Sequence, residues 1–316
     1  MRKVWYMAQF LVTGGSGFIG SHLCRRLLGE GHGVRVLDNL SSGKRENLSD
    51  VADDIDFLEA DLRDDDALQR GVEGVEYILH HAAVASVQTS VERPLMEQQI
   101  NSVGTLKLLE TARQAGVRRV VFAASAAAYG NEPRVPKRED MRPMPQSPYA
   151  ISKLAGEYYC GVYNTLYGLE TVCLRYFNVY GLRQDPASPY SGVISIFAKR
   201  MLNGQAPLVH GDGLQTRDFV SVHDVVAANM LAYQVECAQG QVYNIGSGYS
   251  SSLMDLLTAL NAVLGCNIQA EFVEARSGDV RDSLADISKA QSQLGYVPSM
   301  DLQRGLKEVV EWMRAE

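Results

Sequence analysis

The sequence predicts an α/β protein in which a doubly wound parallel sheet is followed by a smaller, mixed α/β region. Three observations indicate this fold. Short apolar runs alternate with helical patterns through the first half of the chain, the first run ends in a glycine-rich turn, and glycine, proline and aromatic punctuation increases from Gly181 onward. Alternation of strands and helices favours a parallel sheet covered by helices on both faces.

Six apolar runs are expected to form the sheet, with helical patterns between them. The predicted strands are residues 10–12, 34–37, 55–60, 75–80, 117–124 and 169–176. The clearest helical patterns cover residues 18–28, 94–115 and 148–167. A further strand-like run, residues 242–245, is placed to return to the first sheet. We therefore predict two domains, 1–176 and 177–316, with a segment near residues 218–246 returning to the first domain.

The charge balance disfavours some classes of partner. The chain has 316 residues, of which 46% are hydrophobic and 21% charged, and its net charge is −7. Such an acidic chain is a poor general binder of nucleic acid or of anionic membrane surfaces. No apolar run approaches the ~20 residues of a membrane span, and the start of the chain lacks the apolar segment of a cleavable signal. We therefore expect the protein in the cytoplasm.

The cysteines do not form a recognisable framework. Their number is odd and none stands in a C-x-x-C pair: Cys24, Cys160, Cys173, Cys237 and Cys266. This pattern predicts reduced thiols, three or four of them in the core, and no metal site.

A glycine pattern follows the first predicted strand. Gly14, Gly17 and Gly20 are spaced as G-x-x-G-x-x-G, and Phe18 and Ile19 open the next helix. Such glycines let the backbone turn tightly and approach a pyrophosphate, while the helix start presents free N–H groups. The pattern predicts a dinucleotide site of the Rossmann type.

Asp38, at the end of the second predicted strand, indicates which dinucleotide is bound. A carboxylate at this place accepts hydrogen bonds from the adenosine ribose and repels a 2′-phosphate, so we predict NAD rather than NADP. Other cofactor contacts are expected mainly from loops at the carboxyl ends of strands, where ligands of open α/β sheets bind. These residues are Asn39, Ser41, Ser42, Gly43, Asp61, Leu62, His81, Ala82, Ala83, Ala85, Asn101 and Phe177.

Tyr149 and Lys153 are predicted to form a catalytic pair because residues at i and i+4 lie on one face of a helix. A phenol titrates near ~10, and a neighbouring ammonium favours its phenolate. Such a tyrosine takes a proton from a hydroxyl while hydride leaves the same carbon. Ser125 ends the fifth predicted strand and is placed to hydrogen-bond the reacting oxygen. All three residues are also expected to contact the cofactor, and Ser125 and Tyr149 the substrate.

These residues resemble the extended short-chain dehydrogenase/reductase superfamily, and further stretches resemble the UDP-glucose 4-epimerase family within it. The resemblance runs over about residues 9 to 312. The additional stretches are residues 174–181, Gly211-Asp212-Gly213, Thr216-Arg217-Asp218-Phe219 and Arg276-Ser277-Gly278-Asp279. The resemblance implies NAD-dependent epimerisation of a UDP-sugar at C4 through a transient 4-keto sugar.

The resemblance also implies substrate contacts in the second half of the chain. Arg217 and Arg276 would meet the two phosphates, as suits the planar guanidinium. The remaining implied contacts are made to diphosphate, uracil and ribose by Asn178, Val193, His210, Phe219 and Asp279. His210 stands where the family often has an aromatic residue.

Two small residues are expected to widen the sugar pocket. By the resemblance, Ser283 replaces a tyrosine and Ala85 a lysine of some relatives, and Ser86 lies beside Ala85. The hypothesis that follows is that an N-acetyl group at C2 is tolerated. UDP-GlcNAc and UDP-GalNAc would then be interconverted beside UDP-Glc and UDP-Gal. An exposed loop serine without such a role is the competing interpretation of Ser283.

Two other functions remain open. A nucleotide-sugar 4,6-dehydratase or decarboxylase shares the first oxidation, but Ala126 and Ala127 stand where such enzymes need an acid. A non-catalytic NAD-binding regulator would be expected to lose Tyr149 or Lys153. The helices at 94–115 and 148–167 have the length for a four-helix-bundle homodimer. Their apolar side chains, Leu106, Leu108 and Leu109 among them, would equally suit packing on the home sheet.

Overall fold

The computed structural model describes residues 8–186, 192–275 and 280–315. The strands, in chain order, are β1 (Gln9–Thr13), β2 (Gly33–Asp38), β3 (Ile55–Glu59), β4 (Tyr77–His80), β5 (Arg119–Ser125), β6 (Glu170–Tyr176), β7 (Asn178–Tyr180), β8 (Leu208–His210), β9 (Thr216–Arg217), β10 (Phe219–Ser221), β11 (Gln241–Ile245), β12 (Ser251–Ser252) and β13 (Glu271–Val273).

The helices alternate with these strands in the first half of the chain. They are α1 (Phe18–Gly29), α2 (Asp65–Val72), α3 (Val87–Glu92), α4 (Pro94–Gln98), α5 (Gly104–Gln114), α6 (Pro148–Tyr167), α7 (Val193–Leu202), α8 (Val222–Gln234), α9 (Leu253–Leu264), α10 (Ser288–Leu294) and α11 (Leu302–Ala315). Short 3₁₀ helices cover Arg45–Asp54, Ala126–Tyr129 and Glu236–Ala238, and a π-helical turn covers Gln99–Val103.

The central sheet is a doubly wound α/β sheet, as predicted. Its seven strands run in the order β11-β6-β5-β4-β1-β2-β3. The pairs β1–β2, β2–β3, β1–β4 and β4–β5 are parallel. The strand order reverses at β1, so the crevice beyond its carboxyl end is the place where such sheets bind ligands. The prediction that residues 242–245 return to this sheet is confirmed, because β11 lies beside β6.

One predicted helix needs correction. Residues 94–115 do not form a continuous α-helix, because a π-helical turn at Gln99–Val103 separates α4 from α5. The carbonyl of Asn101, within this turn, accepts the side-chain hydroxyl of Thr105 at 2.5 Å. The turn is therefore held by a side chain of the following helix, and such π-bulges often mark functional sites.

The chain forms two compact units. The first contains the described residues up to Ser125, together with Ser147–Leu174 and Asn229–Val242. Its core joins the sheet to α5 and α6. Fully buried members include Leu11, Ile78, Leu108, Leu109, Ala112, Val120 and Cys160. Leu108 and Leu109 thus pack on the home sheet, which decides the alternative that the sequence left open for them.

The second unit contains Ala126–Gln146, Arg175–Ala228 and the described residues from Tyr243 onward. Its core is formed by α7, α9 and α11 around β8 and β10. The buried side chains include Phe197, Val209, Phe219, Leu256, Leu260, Leu306 and Val309. Three two-stranded pairs, β7–β10, β9–β12 and β8–β13, complete this unit. The domain ranges expected from the sequence remain a prediction.

The burial of the cysteines agrees with the prediction that three or four of them lie in the core. All five thiols are free; Cys24, Cys160 and Cys173 are buried, Cys266 is partly buried and Cys237 is exposed. Within the three described ranges, no helix combines the length and the apolar character needed to cross a bilayer.

Candidate active site and cofactor-binding surface

The turn after β1 requires glycine at two positions. Gly14 has φ +71°, and a Cβ there would lie 2.7 Å from the backbone nitrogen of Ala82. A Cβ at Gly20 would overlap the carbonyl oxygen of Gly14. The glycine loop, Gly14–Gly20, is therefore packed backbone against backbone, with no room for a side chain at either end.

The start of α1 fits a pyrophosphate. Gly17 caps the helix without a side-chain acceptor, and no acidic residue lies in the first turn. The first-turn amides, at Phe18, Ile19 and Gly20, have no intrahelical acceptor. Free amides and the positive end of the helix dipole form a cradle for an anionic group.

Asp38 lies beside this loop at the end of β2. One carboxylate oxygen accepts the Ser16 amide at 2.9 Å and the other accepts the Leu40 amide at 2.8 Å. Burial raises the pKa of Asp38, against the effect of these two amides. Gly43 packs on the carboxylate, since a Cβ there would stand 3.0 Å from the Asp38 oxygen. The carboxylate is thus fixed in position, with lone pairs left for a ribose hydroxyl.

The following loops contain the other predicted adenosine contacts. Asn39 donates to Asp61 at 2.8 Å and accepts the Ser41 amide at 3.0 Å. Hydrogen bonds from Arg63 lower the pKa of Asp61 to about 2. Ser42 is exposed. The side chain of Leu62 is buried in the core of the first unit, so only its backbone is available to a ligand.

A chain of hydrogen bonds runs below the loop after β4. The amides of His81 and Ala82 both donate to Thr13 Oγ1 at 3.2 Å. Thr13 Oγ1 lies 2.7 Å from His80 Nδ1, and His80 Nε2 lies 2.9 Å from Thr105 Oγ1.

The donor and acceptor of each hydrogen bond between Thr13, His80 and Thr105 can be assigned from the Thr105 end. Thr105 uses its hydroxyl hydrogen on the Asn101 carbonyl, so it accepts from His80 Nε2–H. His80 Nδ1 then accepts from Thr13, which makes His80 the neutral Nε2–H tautomer. Burial accordingly lowers the pKa of His80 far below its ordinary value, and the nearby Lys153 lowers it further.

Ser125, Tyr149 and Lys153 meet in the first unit. β5 ends at Ser125, and α6 begins at Pro148 with Ser147 as its side-chain cap. The Ser125 side chain hydrogen-bonds the phenol of Tyr149, which lowers the Tyr149 pKa; burial has the larger, opposite effect. Lys153 donates to the carbonyl of Ala123 at 2.8 Å. The predicted catalytic residues are therefore brought together by one strand and one helix.

A glycine lets α6 lie close to β5. A Cβ at Gly156 would stand 2.5 Å from the ring of Phe122. Lys153 lies above the same ring, with its Nζ 5.1 Å from the ring centroid. The close approach of helix and strand is what lets Lys153 reach the carbonyl of Ala123.

Asn101 anchors the loop that contains Ala82 and Ala83. Its side chain binds both backbone groups of Val84. Ala85 is exposed, whereas Ser86 is buried and caps α3 by accepting the Thr89 amide at 3.0 Å. The predicted contacts at Ala82 and Ala83 thus lie on a loop that is fixed at Val84.

The second unit holds the predicted substrate residues. Asn178 is exposed on β7 and pairs in register with Phe219 of β10. Phe219 is buried in the core of this unit, as is Phe177, whose amide donates to Ile245 at 3.0 Å. Val193 opens α7, which has no side-chain cap at its start.

Three further candidates converge around Thr216. The Ser283 amide donates to the carbonyl of Thr216 at 3.2 Å, and Arg217 donates to the same carbonyl at 2.8 Å. The carbonyl of His210 accepts the side chain of Gln215 at 2.7 Å. The structure therefore brings His210, Arg217 and Ser283 to one loop cluster. Arg276 and Asp279 lie outside the described residues.

Asp218 lies in the Thr216-Arg217-Asp218-Phe219 stretch, and its sequence position alone predicts no role for it. Its fully buried carboxylate accepts four hydrogen bonds, at 2.7 to 3.1 Å, from Ser247 N and Oγ, Gly248 N and Ala285 N. Burial raises its pKa, against the effect of these donors. Asp218, between β9 and β10, therefore binds two other segments of the second unit, one at Ser247 and Gly248 and the other at Ala285. Across the described ranges, no three His, Cys, Asp or Glu side chains are grouped as metal ligands.

Comparison with known proteins identifies the family. Residues 10–246 match the family described as NAD dependent epimerase/dehydratase. The chain belongs to this NAD-dependent epimerase/dehydratase family. This membership agrees with the glycine loop and with Asp38 at the end of β2.

Members of the NAD-dependent epimerase/dehydratase family resemble the chain over nearly its whole length. The UDP-glucose 4-epimerase of Mycolicibacterium smegmatis is 43% identical over 96% of this chain and 98% of its own. A UDP-glucose 4-epimerase of Thermotoga maritima, solved with UDP-glucose, has a TM-score of 0.93 at 41% identity. The match covers 97% of this chain and 99% of the Thermotoga chain. The UDP-N-acetylglucosamine 4-epimerase of Methanobrevibacter ruminantium has a TM-score of 0.93 at 38% identity. The match covers 98% of this chain and 99% of the Methanobrevibacter chain.

Proposed function

We propose that this protein is an NAD-dependent 4-epimerase of UDP-sugars, an isomerase that works through a 4-keto sugar. The observation that carries the proposal is the hydrogen bond between Ser125 and Tyr149, with Lys153 tied to the adjacent strand. These groups lie in the same unit as the glycine loop and Asp38. The UDP-sugar 4-epimerases that resemble the chain support the same reaction.

The residues of the chain perform the proton chemistry. NAD, when bound, supplies a reversible hydride acceptor, and the glycine loop and Asp38 would hold its pyrophosphate and adenosine ribose. Tyr149 takes the proton of the C4 hydroxyl, and Ser125 hydrogen-bonds the same oxygen. Because burial raises the pKa of Tyr149, its phenolate needs a nearby cation, and Lys153 supplies that charge. Tyr149 returns the proton after the sugar has turned over in the pocket.

The nucleotide end of the substrate is assigned to the second unit. Arg217 and Arg276 bind the diphosphate, with Asn178. Val193, His210, Phe219 and Asp279 bind uracil and ribose. Ser283 is partly buried beside Thr216. Its small side chain, together with those of Ala85 and Ser86, leaves room for an N-acetyl group. Within this proposal, 1–176 binds the dinucleotide and 177–316 the nucleotide-sugar.

The alternatives have less support. Ala126 and Ala127 follow Ser125 directly, so this stretch offers no carboxylic acid for the elimination of a dehydratase. A non-catalytic regulator has no need for the ordered arrangement of Ser125, Tyr149 and Lys153.

The test is an NMR time course of purified protein with UDP-GlcNAc, and separately with UDP-Glc, without added cofactor. We expect the C4 epimer from both substrates. Absence of both epimers, even with NAD supplied, overturns the proposed function. Ser283→Tyr is expected to remove activity on the N-acetylated sugar alone, and equal loss of both activities contradicts the role of Ser283.

We further propose a cytoplasmic homodimer that pairs helices of the first unit into a four-helix bundle. The outer face of α6 exposes an apolar stripe at helical spacing: Ile151, Tyr158, Val162 and Leu166. A groove formed with Gly161, Thr165 and Val242 lies along this stripe. Exposed apolar surface of this extent favours association.

Sedimentation tests the assembly. Val162→Glu with Leu166→Glu is expected to convert a dimer into a monomer, because it places charge in the paired face. Val297→Glu is the control, since Val297 is 70% exposed on the second unit. A monomeric wild type, or a dimer that survives the double substitution, contradicts this interface.

A further inference from the structure

Glu97 is a buried carboxylate that the proposed chemistry does not use. It lies on α4 with no exposed surface. One of its oxygens accepts the hydroxyl of Ser152 at 2.5 Å and the side-chain amide of Asn101. The other accepts Gln98 Nε2 at 2.9 Å. Its three donors are therefore neutral.

The same network reaches the start of α6. Gln98 also donates to the carbonyl of Pro148 at 2.9 Å, directly before Tyr149. Ser152 stands between Tyr149 and Lys153 in the first turns of this helix. Glu97 thus binds α6 beside the residues that hold the reacting groups.

A buried carboxylate is costly unless a cation compensates its charge. Among the described residues, the cation that feels the charge of Glu97 is Lys153, whose side chain is also buried, although the two side chains form no direct hydrogen bond or ion pair. Burial lowers the pKa of Lys153 to about 8, and Glu97 acts in the opposite direction. The other titratable groups that interact with Lys153 are His80 and His81, from the end of β4. Tyr149 precedes Lys153 by one turn, and burial, together with the charge of Glu97, raises the pKa of Tyr149. β5 contributes the Ala123 carbonyl and the Phe122 ring.

We propose that Glu97 is a positioning residue for the Tyr149–Lys153 pair. It holds Ser152 and Asn101 against the start of α6, and its negative charge favours the ammonium form of Lys153. The role of the pair in catalysis rests on the proposed function, but the charge of Lys153 is measurable without it.

Glu97→Gln tests the charge, because glutamine keeps the size and the hydrogen-bonding capacity of the side chain. We expect Lys153 to titrate about one pH unit lower in this variant, since a buried counter-charge has been removed. Lysine labelled at Cε reports the titration by NMR. The chain has eight lysines, and the signal lost in Lys153→Arg assigns residue 153. In the pH profile of kcat, the alkaline loss of activity should move in the same direction.

Ser152→Ala is the matched control, because it removes a hydrogen bond to Glu97 and no charge. This variant should have a lower kcat, and its Lys153 should titrate at the same pH as in the wild type. Glu92→Gln, at an exposed carboxylate of α3, should change neither quantity. An unchanged Lys153 titration in Glu97→Gln overturns the proposal.

If Glu97→Gln does not fold, Glu97→Asp tests whether the charge at residue 97 affects the titration of Lys153. It withdraws the carboxylate by one methylene, so Lys153 should shift in the same direction by a smaller amount; no shift also overturns the proposal. Failure of wild-type epimerisation would remove the proposed function while leaving the Lys153 titration interpretable. The two ideas can therefore fail separately.

Discussion

Asn101 holds Val84 by both ends of its side-chain amide. Its Oδ1 accepts the Val84 amide at 2.8 Å, and its Nδ2 donates to the Val84 carbonyl at 3.1 Å. The backbone N–H and C=O of Val84, which would otherwise need a strand partner, are thereby satisfied within a loop. The π-helical turn that contains Asn101 is consequently joined to the loop that follows β4.

Asn101→Ala is expected to lower the free energy of unfolding by about 2 to 3 kcal/mol, because it leaves partly buried backbone groups of Val84 without partners and removes a donor from the buried carboxylate of Glu97. Urea unfolding of the cofactor-free protein measures the change. Gln88→Ala is the control, since this exposed amide binds only Glu92 within α3. Equal stability of the two variants would contradict the anchoring role.

The two histidines at the end of β4 predict a pH dependence of stability. Burial lowers the pKa of His80 well below its ordinary value and that of His81 to about 3. In the unfolded chain both titrate near ~6.5. Below that pH the unfolded state binds more protons, so the free energy of unfolding decreases as the pH falls.

This loss is expected to reach at most ~1.4 kcal/mol per pH unit for each histidine. Unfolding at about pH 7 and about pH 5, in wild type and in His81→Gln, tests it. The variant should lose roughly half of the slope attributed to the pair. Retention of the full wild-type slope would show that His81 is not the group responsible.

Two glycines of α1 provide a matched comparison. Gly20→Ala places a methyl group on the Gly14 carbonyl, whereas a Cβ at Gly29 meets no atom within 4 Å. We expect Gly20→Ala to abolish NAD binding or to cost more than about 3 kcal/mol of stability. Gly29→Ala should be neutral or stabilising by up to about 1 kcal/mol. Calorimetric NAD titration and thermal unfolding measure both, and similar behaviour of the two variants would refute the packing argument.

Asp218 is expected to be a stability residue of the second unit. Asp218→Asn replaces one acceptor oxygen by an amide that faces backbone donors, at a cost of about 2 to 4 kcal/mol. Asp212→Asn, at an exposed pair with Arg281, should cost less than about 1 kcal/mol. Denaturant unfolding compares them. If Asp212→Asn proved the more harmful, the assigned role of Asp218 would be wrong.

Local signals explain which elements were predictable from the sequence. α6 was predicted at residues 148–167 and occurs at Pro148–Tyr167. Its ends are encoded in adjacent residues, because Ser147 caps the start, proline takes the first position and Gly168 adopts the left-handed conformation at the end. The π-helical turn at Gln99–Val103 has no such local signal, since its partners lie on other elements.

The candidate site divides in the same way. The glycine loop, Asp38 and the Tyr149–Lys153 spacing are patterns that a sequence displays directly. Glu97 and His80 were missed, because a glutamate in a helix and a histidine at a strand end have no distinctive spacing. Their importance arises only when folding brings Ser152 to Glu97 and Thr105 to His80.

The close packing of Gly156 on the ring of Phe122 makes the residues tolerated at these two positions depend on each other. Gly156→Ala would push α6 away from β5 and draw Lys153 from its carbonyl partner. A smaller residue at position 122 would restore the missing space, so Phe122→Leu is expected to act as a second-site suppressor of Gly156→Ala. Lineages of this enzyme that differ at one of these positions should therefore tend to differ at the other.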